Sequence, residues 1–118
     1  FLWEMKAGRQ PVILGDGSQS RDFIYVDDVV EANMLALEHK GTDIFNVGTG
    51  KGTSLNDVVS LLNSKLKTSI EPSYEPNRIK NYVEHTLADT KKASQKLGFS
   101  ARVSIEEGVE RLLEHYSS

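Results

Sequence analysis

The chain has no cysteine, so neither a disulfide framework nor a thiolate metal site can organise it, and a reducing compartment suits it. No apolar run approaches the ~20 residues needed to span a bilayer, and no charged segment followed by an apolar core marks a signal peptide. The expected location is therefore cytoplasmic, with no membrane partner. Neither sign of charge dominates: 14 basic residues face 17 acidic ones, for a net charge of −3. That balance argues against nucleic acid as the main partner and leaves room only for local basic sites. The histidines, His39, His85 and His115, lack ligand spacing, and no metal is expected. An initiator Met is also missing. The chain opens on Phe1-Leu2-Trp3, an apolar helical segment without a cap, so residue 1 is read as not the natural start.

What is there, across 118 residues with 38% apolar and 26% charged content, suits one modest domain. Its organising stretch runs over residues 15–33. Gly15 and Gly17, one residue apart after Val12-Ile13-Leu14, supply the backbone freedom of a tight reversal. Residues 21–26 then read as a returning strand, giving a hairpin with Arg21 near the start of its second arm. Asp27 or Asp28 is placed to cap the next helix, and Val29, Val30, Ala32, Leu35, Ala36 and Leu37 form its broad apolar stripe.

Before this stretch, residues 1–7 read as the end of an amphipathic helix stopped by Gly8, with Trp3 in core packing or on a bare surface rather than on a ligand. Beyond it, residues 43–47 predict a short strand leading into Gly48-Thr49-Gly50-Lys51-Gly52-Thr53. Strand, glycine-rich turn and helix is also how phosphate cradles are built. This one fails both fingerprints, because Thr53 stands where a dinucleotide turn needs glycine and Gly52 where a nucleoside-triphosphate loop needs Ser or Thr. It reads as a turn delivering Ser54 as N-cap, with Asp57 in the first helical turn. Residues 54–67 show a clean 3.6-residue apolar period, and residues 69–74 a short extended run broken by Pro72 and ended by Pro76. Residues 76–83 are irregular and basic. Asp89 caps a helix to Leu97 that Gly98 ends, and Ser104 with Glu107 forms a capping box for a last helix buried through Ile105, Val109, Leu112 and Leu113.

The ordered string I-x-G-D-G-x-x-x-R-D-F-I-Y-V-D-D-V-V-E-A-N resembles the C-terminal half of the NAD-dependent epimerase/dehydratases, extended short-chain dehydrogenases/reductases acting on nucleotide sugars. The UDP-glucose 4-epimerase branch is the nearest. Phe45-Asn46-Val47-Gly48-Thr49-Gly50, Ala88-Asp89-Thr90-Lys91-Lys92-Ala93 and Leu97-Gly98-Phe99 continue the resemblance in order over essentially the whole chain. It implies an α/β fold: a partial extended-SDR fold, residues 1–118 forming one substrate-binding lobe with a hairpin, one or two sheet strands and four to five helices.

The resemblance also implies a site. Val12 and Leu14 would line the nucleotide base, Leu14 by dispersion where the family commonly stacks an aromatic ring. Arg21 would donate a bidentate pair to the diphosphate. On residues alone, an exposed side chain paired with Asp16 or Asp22 is the preferred reading of Arg21, and the resemblance reverses that preference. Asn46 would contact the nucleotide, or else satisfy loop backbone. Arg78 is the candidate second phosphate clamp, with Lys80 behind it, although the family's Pro-Gly-Asp is missing from this loop. The family's cofactor is NAD, held by a glycine-rich turn and served by a Tyr-x-x-x-Lys pair. Neither motif is present: the residues four after Tyr25, Tyr74 and Tyr82 are Val29, Arg78 and Thr86. The expectation is a nucleotide-sugar-binding portion of an epimerase with no catalytic and no cofactor-binding residues of its own, inactive by itself. The same lobe of a dTDP-sugar 4,6-dehydratase or heptose epimerase, or a free-standing non-enzymatic binding module, are the alternatives. The strand at 43–47 should have an edge lacking its partner, which expects self-association into a homo-oligomer.

Overall fold

The structure, a computed structural model, describes residues 1–117. In chain order its elements are α1 (Leu2–Lys6), β1 (Val12–Leu14), β2 (Ser20–Arg21), α2 (Val26–Glu38), β3 (Thr53–Ser54), α3 (Leu55–Leu66), β4 (Ser73–Glu75), α4 (Lys91–Leu97) and α5 (Ile105–His115). They fall into two compact units that alternate along the chain: residues 1–21 with 53–86, and residues 22–52 with 87 onward.

In the first unit, α1 packs on α3, and Met5, Ile13, Val59 and Leu62 are buried. Trp3 stays 56% exposed, which places it on the surface. The helix α3 follows its apolar period, starts at Ser54, whose Oγ accepts the Asp57 N–H at 3.0 Å, and ends at Lys67 in a left-handed conformation. The hairpin expected from the Gly15–Gly17 reversal is corrected. The strand β1 pairs in parallel with β4, Val12 opposite Ser73 and Leu14 opposite Glu75, and β2 pairs antiparallel with β3. The reversal does form, with Gly15 at φ 94° and Gly17 at φ 81°, but the Gly15 N–H extends the β1–β4 ladder to the Glu75 carbonyl at 2.8 Å. Turn chemistry sets the direction of the chain locally; the strand's partner is chosen by burial of Ile13 at 0% exposure.

In the second unit, α2 and α4 pack together around Ala32, Ala93 and Phe99, joined by Ile24, Leu35, Phe45, Val47, Leu97 and Ala101. The returning strand expected over 21–26 ends at Arg21, and α2 already begins at Val26 with Tyr25 as its N-cap. Asp28 does not cap that helix. It is 3% exposed, and its carboxylate accepts the N–H groups of Arg102 and Val103 at 3.0–3.1 Å. The apolar stripe of α2 is narrower than expected, since Val30 and Leu37 are 54% and 80% exposed. Residues 43–47 form no ladder among the described residues; an extended segment without a partner strand is not a sheet element, although Phe45 and Val47 still pack on the core. The helix α4 takes Thr90 as N-cap while the Asp89 carboxylate accepts the Lys91 N–H, and Gly98 ends it. The helix α5 opens on Ser104, whose Oγ accepts the Glu107 N–H at 3.2 Å; Leu112 of its expected buried stripe is 40% exposed. Among the described residues no helix is long and apolar enough to cross a membrane.

Candidate functional site

In the first unit the chain leaves β1 through a tight turn that several side chains hold open. The Asp16 Oδ1 accepts both the N–H and the hydroxyl of Ser18, at 2.9 and 2.6 Å, which lowers the Asp16 pKa from its ordinary value. From α3, the Asn56 Nδ2 donates to the Asp16 carbonyl at 3.0 Å, and its Oδ1 accepts the Tyr74 hydroxyl at 2.8 Å. Gly17 has to be glycine here, because a Cβ would lie 2.0 Å from the Asn56 Oδ1. Directly after the turn, Gln19 is 2% exposed and its Nε2 donates to the Leu14 carbonyl at 2.5 Å.

Across from this turn runs the segment preceding residue 86, and Arg21 secures it. The Arg21 Nη1 donates to the carbonyls of Ser20 and Glu84 at 2.7 and 3.1 Å, its Nη2 to that of Val83 at 2.8 Å, and its guanidinium lies 5.2 Å from the Tyr82 ring centroid. The backbone of the segment also pairs with Ser20, and Ser20 Oγ meets His85 Nδ1 at 2.9 Å. Between turn and segment lies a cavity of about 440 Å³ walled by Leu14, Asp16 and Gln19 on one side and Asn77, Glu84 and His85 on the other. That size is within the ~300–1,000 Å³ usual for small-molecule clefts.

Of the residues named from the sequence, Leu14 lines this cavity. Val12 is 47% exposed on β1 outside its wall. Arg21 pairs with neither Asp16 nor Asp22; three of its five N–H groups go to carbonyls, which leaves the Nε–H and one Nη2–H. Arg78 and Lys80 are exposed and have no partner among the described residues. Asn46 is exposed in the second unit. Sequence reading missed Gln19, Asn56, Glu84 and His85, because polar side chains at irregular spacing give no periodic signal; Gln19, between two serines, looked like one more turn residue.

In the second unit the glycine-rich turn is filled from within. The Asp22 carboxylate accepts the N–H groups of Thr49 and Gly50, both at 2.9 Å, the Thr49 hydroxyl, and the Ala88 N–H at 3.4 Å. Burial pushes the Asp22 carboxyl up, but these bonds outweigh it and hold the group below its ordinary value. Gly48 permits the approach, since a Cβ there would lie 2.6 Å from the Asp22 Oδ2. A dinucleotide pyrophosphate does not fit this turn: its donors are taken, and a carboxylate stands where the phosphate charge would sit.

The GDP-mannose 4,6 dehydratase family model matches residues 1–112. The chain is 34% identical over 117 residues to the UDP-glucose 4-epimerase of Mycolicibacterium smegmatis, covering 98% of this chain and 37% of that protein. Its structure is similar to that of the Thermotoga maritima UDP-glucose 4-epimerase with UDP-glucose, with a TM-score of 0.92, 41% identity, and coverage of 98% of this chain and 37% of the other. It is also similar to the Bacillus cereus UDP-glucuronic acid 4-epimerase in complex with UDP-glucuronic acid and NAD, with a TM-score of 0.85, 32% identity, and coverage of 92% and 35%. The chain thus spans little more than a third of the length of these proteins.

Proposed function

Because this chain belongs to the NAD-dependent epimerase/dehydratase family of extended short-chain dehydrogenases/reductases, corresponding to a C-terminal part of it, we propose that it is the nucleotide-sugar-binding portion of a UDP-glucose 4-epimerase. The observation that supports this most is that Arg21 sets the segment walling the cavity and keeps its Nε–H and one Nη2–H clear of the carbonyls it bonds, donors suited to phosphate oxygens. Arg21 then has two tasks: its carbonyl bonds set the segment walling the cavity, and its remaining N–H groups bind the diphosphate. Arg78 opposes it, while Val12 and Leu14 serve the base. NAD belongs to the whole family fold and not to these residues, so no chemical step is assigned to them. With UDP-galactose and added NAD, the 118-residue chain turns nothing over; measurable epimerisation by it would refute this reading.

The deciding experiment is calorimetric titration of UDP into the full-length protein and its Arg21→Lys variant. Lysine keeps the charge and loses the fork, so UDP binds about tenfold more weakly, or worse. Equal affinities would remove Arg21 from the site. A second reading, a dTDP-sugar 4,6-dehydratase, draws on the 4,6-dehydratase reaction in the description of the matching family model, whose own nucleotide sugar is GDP-mannose. Titration of dTDP beside UDP separates the two, since the second reading requires dTDP to bind more tightly.

A further inference from the structure

An α-helix leaves its first N–H groups without acceptors inside the helix. In α3 these donors are spent on the turn that walls the cavity. The Leu55 N–H goes to the Gln19 carbonyl and the Asn56 N–H to the Gly17 carbonyl, both at 3.1 Å. The Asn56 side chain adds a third bond, from its Nδ2 to the Asp16 carbonyl at 3.0 Å, so the start of one helix holds three carbonyls of a single turn. The other end of the same amide reaches elsewhere. Its Oδ1 accepts the Tyr74 hydroxyl at 2.8 Å, and Tyr74 belongs to β4, from which the chain runs on to Asn77 in the opposite wall. The direction of the amide is fixed, because a flipped one would set its oxygen against the Asp16 carbonyl. Asn56 itself is half-buried and lies outside the cavity lining.

We propose that Asn56 is a positioning residue for this cavity: its amide ties the turn carrying Asp16 to the strand leading to Asn77, and so sets how far apart the two walls stand without touching what lies between them. The Gly15 N–H, bonded to the Glu75 carbonyl at 2.8 Å, makes a backbone tie between the same turn and strand. Asn56 adds the tie through side chains and anchors both to α3. A turn held in its final shape has little freedom left to lose when a ligand arrives, whereas a loosened turn must be ordered at that moment, at the expense of affinity. Asn56 and Tyr74 therefore act on binding as one unit. The proposal rests on the nucleotide-sugar reading, because UDP is the ligand that reports on the cavity.

The test titrates UDP calorimetrically into the full-length protein, wild type and the variants Asn56→Leu, Tyr74→Phe, their double variant and Asn63→Leu, with thermal melts confirming that each is folded. Asn63 is the control, because at the far end of α3 its side chain bonds Thr68 and Ile70, so its loss lowers stability without touching the turn. Asn56→Leu should bind UDP at least fivefold more weakly and Tyr74→Phe at least threefold. The double variant should bind no more weakly than Asn56→Leu, since both changes cut the same tie. Asn63→Leu should melt lower and bind UDP like the wild type. If Asn56→Leu does not fold, Tyr74→Phe, which keeps the ring and its packing, decides alone. Wild-type affinity in either Asn56→Leu or Tyr74→Phe, or an equal loss in Asn63→Leu, would overturn the positioning role and leave the nucleotide-sugar reading standing. A folded wild type that binds no UDP would overturn both.

Discussion

Asp22 occupies, in the second unit, the position a bound anion has in a phosphate-binding turn: backbone N–H groups of a glycine-rich loop converge on its carboxylate. Asp22→Asn keeps the shape but loses the charge and part of the acceptor capacity, so it should lower stability by about 1 kcal/mol, a modest value because the group is only partly buried. The pH dependence has a definite sign. The folded-state pKa lies below an unfolded value near 3.9, so the stability is complete above about pH 4 and fades as pH falls toward the folded pKa. Denaturant midpoints between about pH 5 and pH 2 should therefore fall more steeply in wild type than in Asp22→Asn; parallel curves would remove Asp22 as the source. Asp43 acts in the same direction, its carboxyl pulled well down by Lys92 and then Lys96. Gly17 gives a second test at this scale. Gly17→Ala must adopt positive φ and displace Asn56 from its bonds to Asp16 and Tyr74, at about 2–3 kcal/mol. In an Asn56→Ala background the same change should cost measurably less, and exact additivity in that cycle would deny the clash.

Among the elements, the helix starts divide by how they are capped. At α3 and α5 a serine hydroxyl takes the N–H three residues on, at 3.0 and 3.2 Å, whereas α2 starts at Tyr25 without a side-chain cap. Ser54→Ala and Ser104→Ala should each cost about 0.5–2 kcal/mol in chemical denaturation, while Tyr25→Ala loses packing rather than a cap. Tyr25 lies against Gly108, where a Cβ would come within 3.2 Å of its ring, and beneath the Arg111 guanidinium at 5.2 Å. Asp28 is of another kind again. It serves the backbone of residues 102 and 103 from the first turn of α2, and Asp28→Ala would strand two N–H groups, one of them buried, so its cost should exceed that of either serine. A smaller loss than at Ser54 would show that water satisfies those groups.

For the molecule as a whole, both sheets are pairs. Among the described residues the strands β1 and β4 have only each other and β3 has only β2, so three of the four strands have an open edge, while β2 is bridged on its other side by Ser20 to His85. Parallel pairs of this kind normally sit inside larger, covered sheets, and open edges pair with other chains. The isolated 118-residue chain should therefore associate as its concentration rises, read as increasing mass in light scattering during size exclusion. A constant monomer mass over a hundredfold concentration range would contradict this.

Helices were legible from sequence wherever period and punctuation agreed. Residues 54–67 became α3 with the expected serine cap, and Gly98 and Ser104 fell where α4 ends and α5 starts. These are local matters, decided within a turn by backbone geometry and one side chain. The positive φ of Gly15 and Gly17 was equally local. Strand pairing was not. The hairpin reading failed because β1 found β4, about sixty residues away, and register is a property of two segments that no single window contains. For the site, the motif pointed to Arg21 and Leu14, while the acceptors of the cavity wall and the Asp22 carboxylate in the glycine turn emerged only in three dimensions. Sequence order names the donors and acceptors; which of them is left unpaired in a cavity depends on what the folded chain places beside it.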